Sequence, residues 1–194
     1  MPPAVVTRGA ADRIRIWGRR VQRPVFLLVV CVLLISGNGL GKAAGANALT
    51  RGTVVRVYDG DTILISGPGE RKVIRLLGID APETSKGKGE PGQPYSQKAR
   101  RHLAGFILNR AVTLVVYGED RYHRTLAVVY CDDRDINHAM LQAGLAEVYR
   151  GRTPDGFDKT PYLKTEADAR KTHTGMWRQG ADYVSPIRWK HPPR

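Results

Sequence analysis

The sequence predicts an α+β fold that is mainly β, a five-stranded barrel of OB-fold type with three helices. Five short runs rich in β-branched and aromatic residues are bounded by Gly, Pro and Asp turn residues, as strands usually are. The first three runs follow one another through tight turns, which indicates a meander. Helical periodicity follows the third run and the fifth. An α+β arrangement with an open sheet is the alternative.

The predicted strands cover residues 53–58, 62–66, 72–79, 111–117 and 125–131. A first helix is predicted to begin at Pro94, since proline suits the first helical position. Four residues at spacings of four, four and three form its predicted apolar face: Tyr95, Ala99, Leu103 and Phe106.

Two more helices are predicted after the fifth strand. The first has Asp135 as a possible N-cap and stops at Gly144. The second begins near Thr160, carries Leu163 and Ala167, and ends about residue 175.

Residues 1–48 have the anatomy of a signal peptide. Six arginines and one acid in residues 1–23 precede eleven apolar residues from Val25 to Ile35, fewer than the about 20 that a membrane span needs. The small-residue pattern before Leu49 predicts cleavage after Ala48, and therefore export to the periplasm or the medium. The alternative is an uncleaved anchor in the inner membrane, which would be the chain's only membrane contact.

The domain proper is predicted at residues 49–184, followed by a basic, proline-rich tail at 185–194. This tail is either disordered or laid over the barrel by Trp189. Cys131 is the only cysteine after position 48, which excludes an internal disulfide in the exported part, and no Cys or His pair has zinc-ligand spacing.

The net charge of +13 points to an anionic partner. Cleavage after Ala48 would remove seven of the 31 basic residues and one of the 18 acidic ones, which leaves 24 and 17 and a net charge of +7. The basic balance is therefore not only a property of the leader. A polyanion such as a nucleic acid would be attracted by a salt-sensitive electrostatic term.

Two acidic turns carry the chemistry that the sequence suggests. The turn at residues 59–62 reads DGDT, and residues 75–84 read RLLGIDAPET, with Arg75 inside an apolar run that ends on Asp80 and Glu83. A hairpin would bring the carboxylates of the first turn beside Asp80, next to an arginine. Carboxylates, a cation and a guanidinium suit phosphate-ester hydrolysis, so a metal-dependent phosphodiesterase is the hypothesis. Taken singly, each acid is also compatible with an ordinary turn.

In combination, the segments VRVYDGDT, IRLLGIDAPET, DRYHRTLAVVY and NHAMLQAGLAEV closely resemble the thermonuclease family, the staphylococcal-nuclease-like domains. The resemblance covers about residues 51–177 and depends most on DGDT and RLLGIDAPE. It implies an OB-fold barrel with three helices and a calcium-dependent phosphodiesterase that acts on DNA and RNA. No stable protein partner is implied, and a monomer is expected.

The resemblance also implies a role for each matching position. Asp61 and Asp80 correspond to the calcium carboxylates, Ala81 to the residue that donates a backbone carbonyl, and Glu83 to the general base. Arg75 and Arg124 correspond to the two arginines that act with Glu83 in catalysis by binding the phosphate, and Tyr122 is the candidate for substrate contact with the nucleotide.

His123 stands where the family commonly has glycine, and after Val148 the residues Tyr149-Arg150-Gly151 replace the segment that lines the base pocket. Base preference is therefore not implied. One alternative function is a nucleic-acid-binding barrel that has lost catalysis, and another is a basic cell-envelope adaptor tethered by residues 25–35. All five acidic and arginine positions of the site are present, which favours the enzyme.

Overall fold

The computed structural model describes residues 49–192, except residues 86, 88 and 90. The predicted signal peptide at residues 1–48 lies outside the described residues. The strands are β1 (Leu49–Val57), β2 (Thr62–Ser66), β3 (Arg71–Leu76), β4 (Ile79–Asp80), β5 (Ala111–Glu119), β6 (Thr125–Cys131), β7 (Arg134–Asp135) and β8 (Glu147–Val148).

Five strands form a closed barrel, as the sequence predicts. Antiparallel pairing gives the order β3-β2-β1-β5-β6, and a parallel pairing between β3 and β6 closes it. The short strand β7 pairs antiparallel with the end of β6, and β4 pairs separately with β8. Alternating side chains such as Ile63 and Ile65 on β2, and Ile74 and Leu76 on β3, fill the interior and are at most 1% exposed.

The helices are α1 (Ser96–Ile107), α2 (Ile136–Gln142), α3 (Thr160–Lys171) and α4 (Pro186–Lys190), with a 3₁₀ segment at Gly175–Asp182. Helix α1 begins two residues later than predicted, because Tyr95 has a left-handed backbone with φ of 69°. Its buried face contains Ala99 and Leu103 as predicted, together with Ser96 and Ile107. The predicted cap of α2 is confirmed: the Asp135 carboxylate accepts from the N–H of His138 at 2.8 Å.

The predicted course of the third helix is wrong in two respects. Helix α3 ends at Lys171, and its buried residues are Tyr162, Glu166 and Ala169. Leu163 and Ala167, by contrast, are exposed. A carboxylate on the buried face explains the difference, since Glu166 accepts from the N–H of Val148 and from two arginines. Hydrophobic periodicity does not reveal a helix that docks through a charged residue.

The described part of the predicted tail contains the short helix α4, whereas the sequence predicted either a disordered tail or one laid over the barrel by Trp189. Ser185 caps α4 by accepting from the N–H of Arg188. Trp189 is 38% exposed, and it is Lys190 that contacts the acidic site. Among the described residues, no helix is both long enough and apolar enough to span a membrane.

Candidate active site

The register of the barrel strands brings the two predicted acidic turns together. Thr62, which opens β2, pairs with Arg75 on β3, so Asp61 lies at the end of this hairpin. The N–H of Leu76 donates to the backbone carbonyl of Asp61 at 2.8 Å and holds the turn against β3. The parallel pairing of Ile74 with Thr125 brings the start of β6 to the same end of the barrel.

Arg75 bridges the two predicted calcium carboxylates. Its guanidinium contacts Asp61 through Nη1 and Asp80 through Nη2, each at 2.8 Å. Burial alone would lower the pKa of Arg75, but the charges of Asp61 and Asp80 outweigh it and raise that pKa, so the guanidinium stays charged. The predicted approach of Asp80 to the DGD turn is confirmed.

The carboxylates are almost completely buried. Asp61 is 4% exposed and Asp80 is 2% exposed. Burial, followed by the charge of Asp61, raises the pKa of Asp80 despite its contact with Arg75. Asp59 has a raised pKa for the same two reasons, and its carboxylate accepts from the N–H of Asp61 at 2.9 Å. Three acids close together and shielded from solvent to different degrees favour a bound cation.

Ala81 contacts Asp61 through its backbone N–H group, whereas the predicted role belongs to its carbonyl. That N–H donates to Asp61 Oδ2 at 2.6 Å, and Ala81 is 2% exposed. The contact orients the Asp61 carboxylate. The role of the Ala81 carbonyl as a metal ligand remains a prediction.

Glu83 lies at the edge of the same acidic cluster. Its side chain is 19% exposed, and its Oε1 is 2.8 Å from Lys190 Nζ. Its backbone is held by Gln93, which accepts from the Glu83 N–H through Oε1 at 3.1 Å and donates its own N–H to the Glu83 carbonyl at 2.8 Å. A carboxylate that is partly accessible to solvent and held at its backbone suits a proton acceptor for water.

Arg124 is held by Asp120. The Asp120 carboxylate accepts from Arg124 Nε at 2.7 Å and contacts Arg124 Nη2 at 2.7 Å, while its other oxygen accepts from the N–H groups of Tyr122 and Arg124. These hydrogen bonds, led by the backbone N–H of Arg124, lower the pKa of Asp120 although partial burial opposes them. His123 adopts a left-handed conformation with φ of 60°. Glycine adopts this conformation most easily, which explains why the family commonly has glycine at this position.

Tyr122 is 62% exposed and stands over this turn. Its ring lies 4.8 Å from the Arg121 guanidinium and 5.5 Å from that of Arg124. An exposed aromatic ring beside arginines suits stacking with a nucleobase.

One cleft of about 960 Å³ collects these groups. Six of the seven predicted site residues line it: Asp61, Arg75, Asp80, Glu83, Tyr122 and Arg124. Ala81 lies behind the lining. The sequence reasoning missed four contributors, namely Asp120, Arg121, Arg152 and Lys190. Asp120 and Arg121 belong to the recognised segment DRYHRTLAVVY, whereas Arg152 and Lys190 carry no local signal.

Among the residues that the structure describes, no group of three or more His, Cys, Asp and Glu side chains is arranged to hold a metal ion. The donor set nevertheless fits calcium. Asp61 and Asp80 each lie 2.8 Å from a nitrogen of the same guanidinium, so the two carboxylates are close together, and both offer oxygen. Calcium completes its six to eight ligands with carbonyls, water and phosphate.

A closed barrel that gathers two arginines, buried carboxylates and one accessible carboxylate in a single cleft has the groups that phosphodiester hydrolysis needs. Comparison with known proteins agrees. Residues 73–179 match the family described as staphylococcal nuclease homologue. The chain belongs to this family.

Individual relatives extend the match. A Haemophilus influenzae protein named as an uncharacterized endonuclease is 33% identical over 138 residues, which cover 71% of each chain. Protein ParB of Escherichia coli is 35% identical over 159 residues, 76% of this chain and 83% of the relative. A probable endonuclease LCL3 of Clavispora lusitaniae is 29% identical over 212 residues, 95% of this chain and 87% of the relative. The chain is thus a phosphodiesterase of the endonuclease type.

Proposed function

We propose that this nuclease is calcium-dependent, that it hydrolyses phosphodiester bonds of DNA and RNA by attack of water, and that it is exported. The observation that carries the proposal is the shared cleft, in which Arg75 and Arg124 face the same space as Glu83. Phosphate-binding groups and a proton acceptor are therefore available to one scissile bond.

Asp61 and Asp80 are the side chains that would hold calcium, with the Ala81 carbonyl as the further protein ligand. When bound, calcium would neutralise charge on the phosphate and favour deprotonation of water. The buried carboxylates supply the negative charge that such a cation needs.

Glu83 accepts the proton of the attacking water in this proposal. Arg75 and Arg124 hold the non-bridging phosphate oxygens, since a guanidinium presents a fork of donors and stays charged at any ordinary pH. As negative charge grows on those oxygens, the two arginines stabilise the transition state more than the bound substrate. Tyr122 provides a stacking surface for the adjoining base, which any nucleobase can use.

The decisive experiment compares cleavage of a labelled single strand with calcium affinity and strand affinity for wild type and Glu83→Gln. Glutamine keeps the size of the side chain but cannot accept the proton. We expect both affinities to persist and the cleavage rate to fall by about 10² to 10⁴, the usual contribution of a general base. Asp80→Asn is the matched control, because it removes the charge of a predicted calcium ligand and should therefore lower calcium affinity, which Glu83→Gln should not.

Two outcomes would contradict the proposal. A Glu83→Gln enzyme that cleaves at the wild-type rate would remove the general-base role. A wild-type protein that binds strands tightly and never cleaves them with calcium present would instead be a nucleic-acid-binding barrel.

Export rests on the leader alone, with its arginines, its short apolar run and the small residues before Leu49. The protein recovered outside the inner membrane should begin at or near Leu49 when its N-terminus is sequenced. An intact Met1 in a membrane fraction would contradict cleavage and support the anchored form.

A further inference from the structure

The C-terminal segment Tyr183–Lys190 is fastened to the acidic site at two points. Gln93, which is 3% exposed, donates from Nε2 to the carbonyl of Val184 at 2.7 Å while its Oε1 accepts from the N–H of Glu83. The Tyr183 hydroxyl donates to Glu147 at 2.6 Å. Glu147 is in turn the strand partner of Asp80. The segment is thus tied to the neighbours of both Glu83 and Asp80.

From this segment Lys190 reaches into the cleft. Its Nζ lies 3.0 Å from Asp80 Oδ1 and 2.8 Å from Glu83 Oε1, and its side chain is 26% exposed. The ammonium therefore lies between a predicted metal ligand and the predicted general base.

This position conflicts with a metal on the same oxygen. A calcium ligand oxygen lies about 2.3–2.6 Å from the ion, and Asp80 Oδ1 already receives Arg75 Nη2 at 2.8 Å and Lys190 at 3.0 Å. An ammonium and a divalent ion on one carboxylate oxygen repel each other strongly in a buried site. At Glu83 the ammonium also engages an oxygen that would otherwise accept a proton.

We propose that Lys190 is an internal counter-cation of the reaction centre: it holds Asp80 and Glu83 in position while no calcium is bound, and it leaves Asp80 when calcium binds. The inference rests on the proposed calcium dependence. It makes Lys190 a positioning residue that sets calcium affinity, contributed by a helix at the far end of the chain.

The test is calorimetric titration of the full chain with calcium, without nucleic acid. Lys190→Ala should bind calcium about fivefold more tightly or better, the lower end of ordinary coupling between two sites. Lys190→Arg keeps the charge and should stay near the wild-type affinity. Arg188→Ala is the matched control, since it removes one positive charge from the same helix and Arg188 makes no ion pair with the acidic site among the described residues.

Hydrogen exchange of the peptide covering residues 185–192 provides a readout independent of affinity. Saturating calcium should speed its exchange in wild type, because Lys190 is released. If Lys190→Ala and Arg188→Ala change affinity equally, or if Lys190→Ala weakens calcium binding, the inference is overturned while the calcium site stands. If no variant binds calcium, the proposed calcium dependence and the inference fail together.

Discussion

Asp120 shows how a residue with no direct chemistry can decide whether a catalytic one is in place. One of its oxygens accepts the N–H groups of Tyr122 and Arg124, and the other holds the Arg124 guanidinium. Among the described residues, Asp120 is the only carboxylate that forms an ion pair with Arg124. Arg124 therefore reaches the cleft with its orientation set by a neighbour four residues earlier.

Replacing Asp120 by Asn should separate these two tasks. The amide oxygen can still accept the backbone N–H groups, whereas its NH₂ group cannot accept from the guanidinium. We expect kcat/KM for strand cleavage to fall roughly tenfold to a hundredfold, as misplacement of a catalytic group does, with the unfolding free energy nearly unchanged.

The double variant Asp120→Asn with Arg124→Ala is the control. If Asp120 acts through Arg124, the double variant should be no slower than Arg124→Ala alone, since residues that act as a unit are not additive. Full additivity of the two losses would show that Asp120 acts independently.

At the scale of elements, the position of the DGD turn depends on close packing around Gly60. Gly60 is buried between α1 and Ala81, the residue after β4, and a Cβ at this position would lie 2.6 Å from the Ala81 Cβ and 2.8 Å from the Ala99 Cβ. No ordinary contact is that short. The glycine thus lets the turn that carries Asp59 and Asp61 approach both elements.

Gly60→Ala should push the turn away from the barrel and lower the unfolding free energy by about 1–3 kcal/mol, the usual cost of overpacking. Calcium affinity should fall as well, because Asp61 moves relative to Asp80. Gly105→Ala is the control in α1, where no atom lies within 4 Å of the added Cβ. It should raise the unfolding free energy by about 0.5–1 kcal/mol. Urea denaturation distinguishes the two, and equal shifts would contradict the packing explanation.

The predictable elements are those whose formation depends on residues close together in the sequence. The β-branched runs indicated all five barrel strands, and Asp135 indicated the start of α2, because pairing faces and caps leave a short-range pattern. Helix α3 was placed correctly at its start but with the wrong face, because Glu166 occupies the position that periodicity reserves for an apolar residue.

At the scale of the whole molecule, the site contains contacts that no short pattern encodes. The recognised segments identified six residues that line the cleft, since their spacing reflects strand register. Lys190, by contrast, meets Asp80 across 110 residues of sequence. Such a pair depends on how the chain end packs against the finished barrel, which only the folded structure reveals.

The attraction of nucleic acid also belongs to the scale of the whole molecule, because the part after residue 48 carries 24 basic and 17 acidic residues. If strands bind in the cleft, its unpaired basic groups should account for more of the salt dependence than charges elsewhere.

Arg121 and Arg152 line the cleft and form no ion pair with a carboxylate in the described structure, whereas Arg110 is paired with Asp132 outside it. Each of Arg121→Ala and Arg152→Ala should make the slope of log affinity against log salt shallower by about 0.7, the value for one phosphate contact with a single strand. Arg110→Ala should leave the slope unchanged. Fluorescence anisotropy of a labelled single strand at several salt concentrations, with Glu83→Gln in each protein to prevent cleavage, measures the three slopes. Equal changes in all three variants would show that strands respond to the overall charge of the protein and not to this cleft.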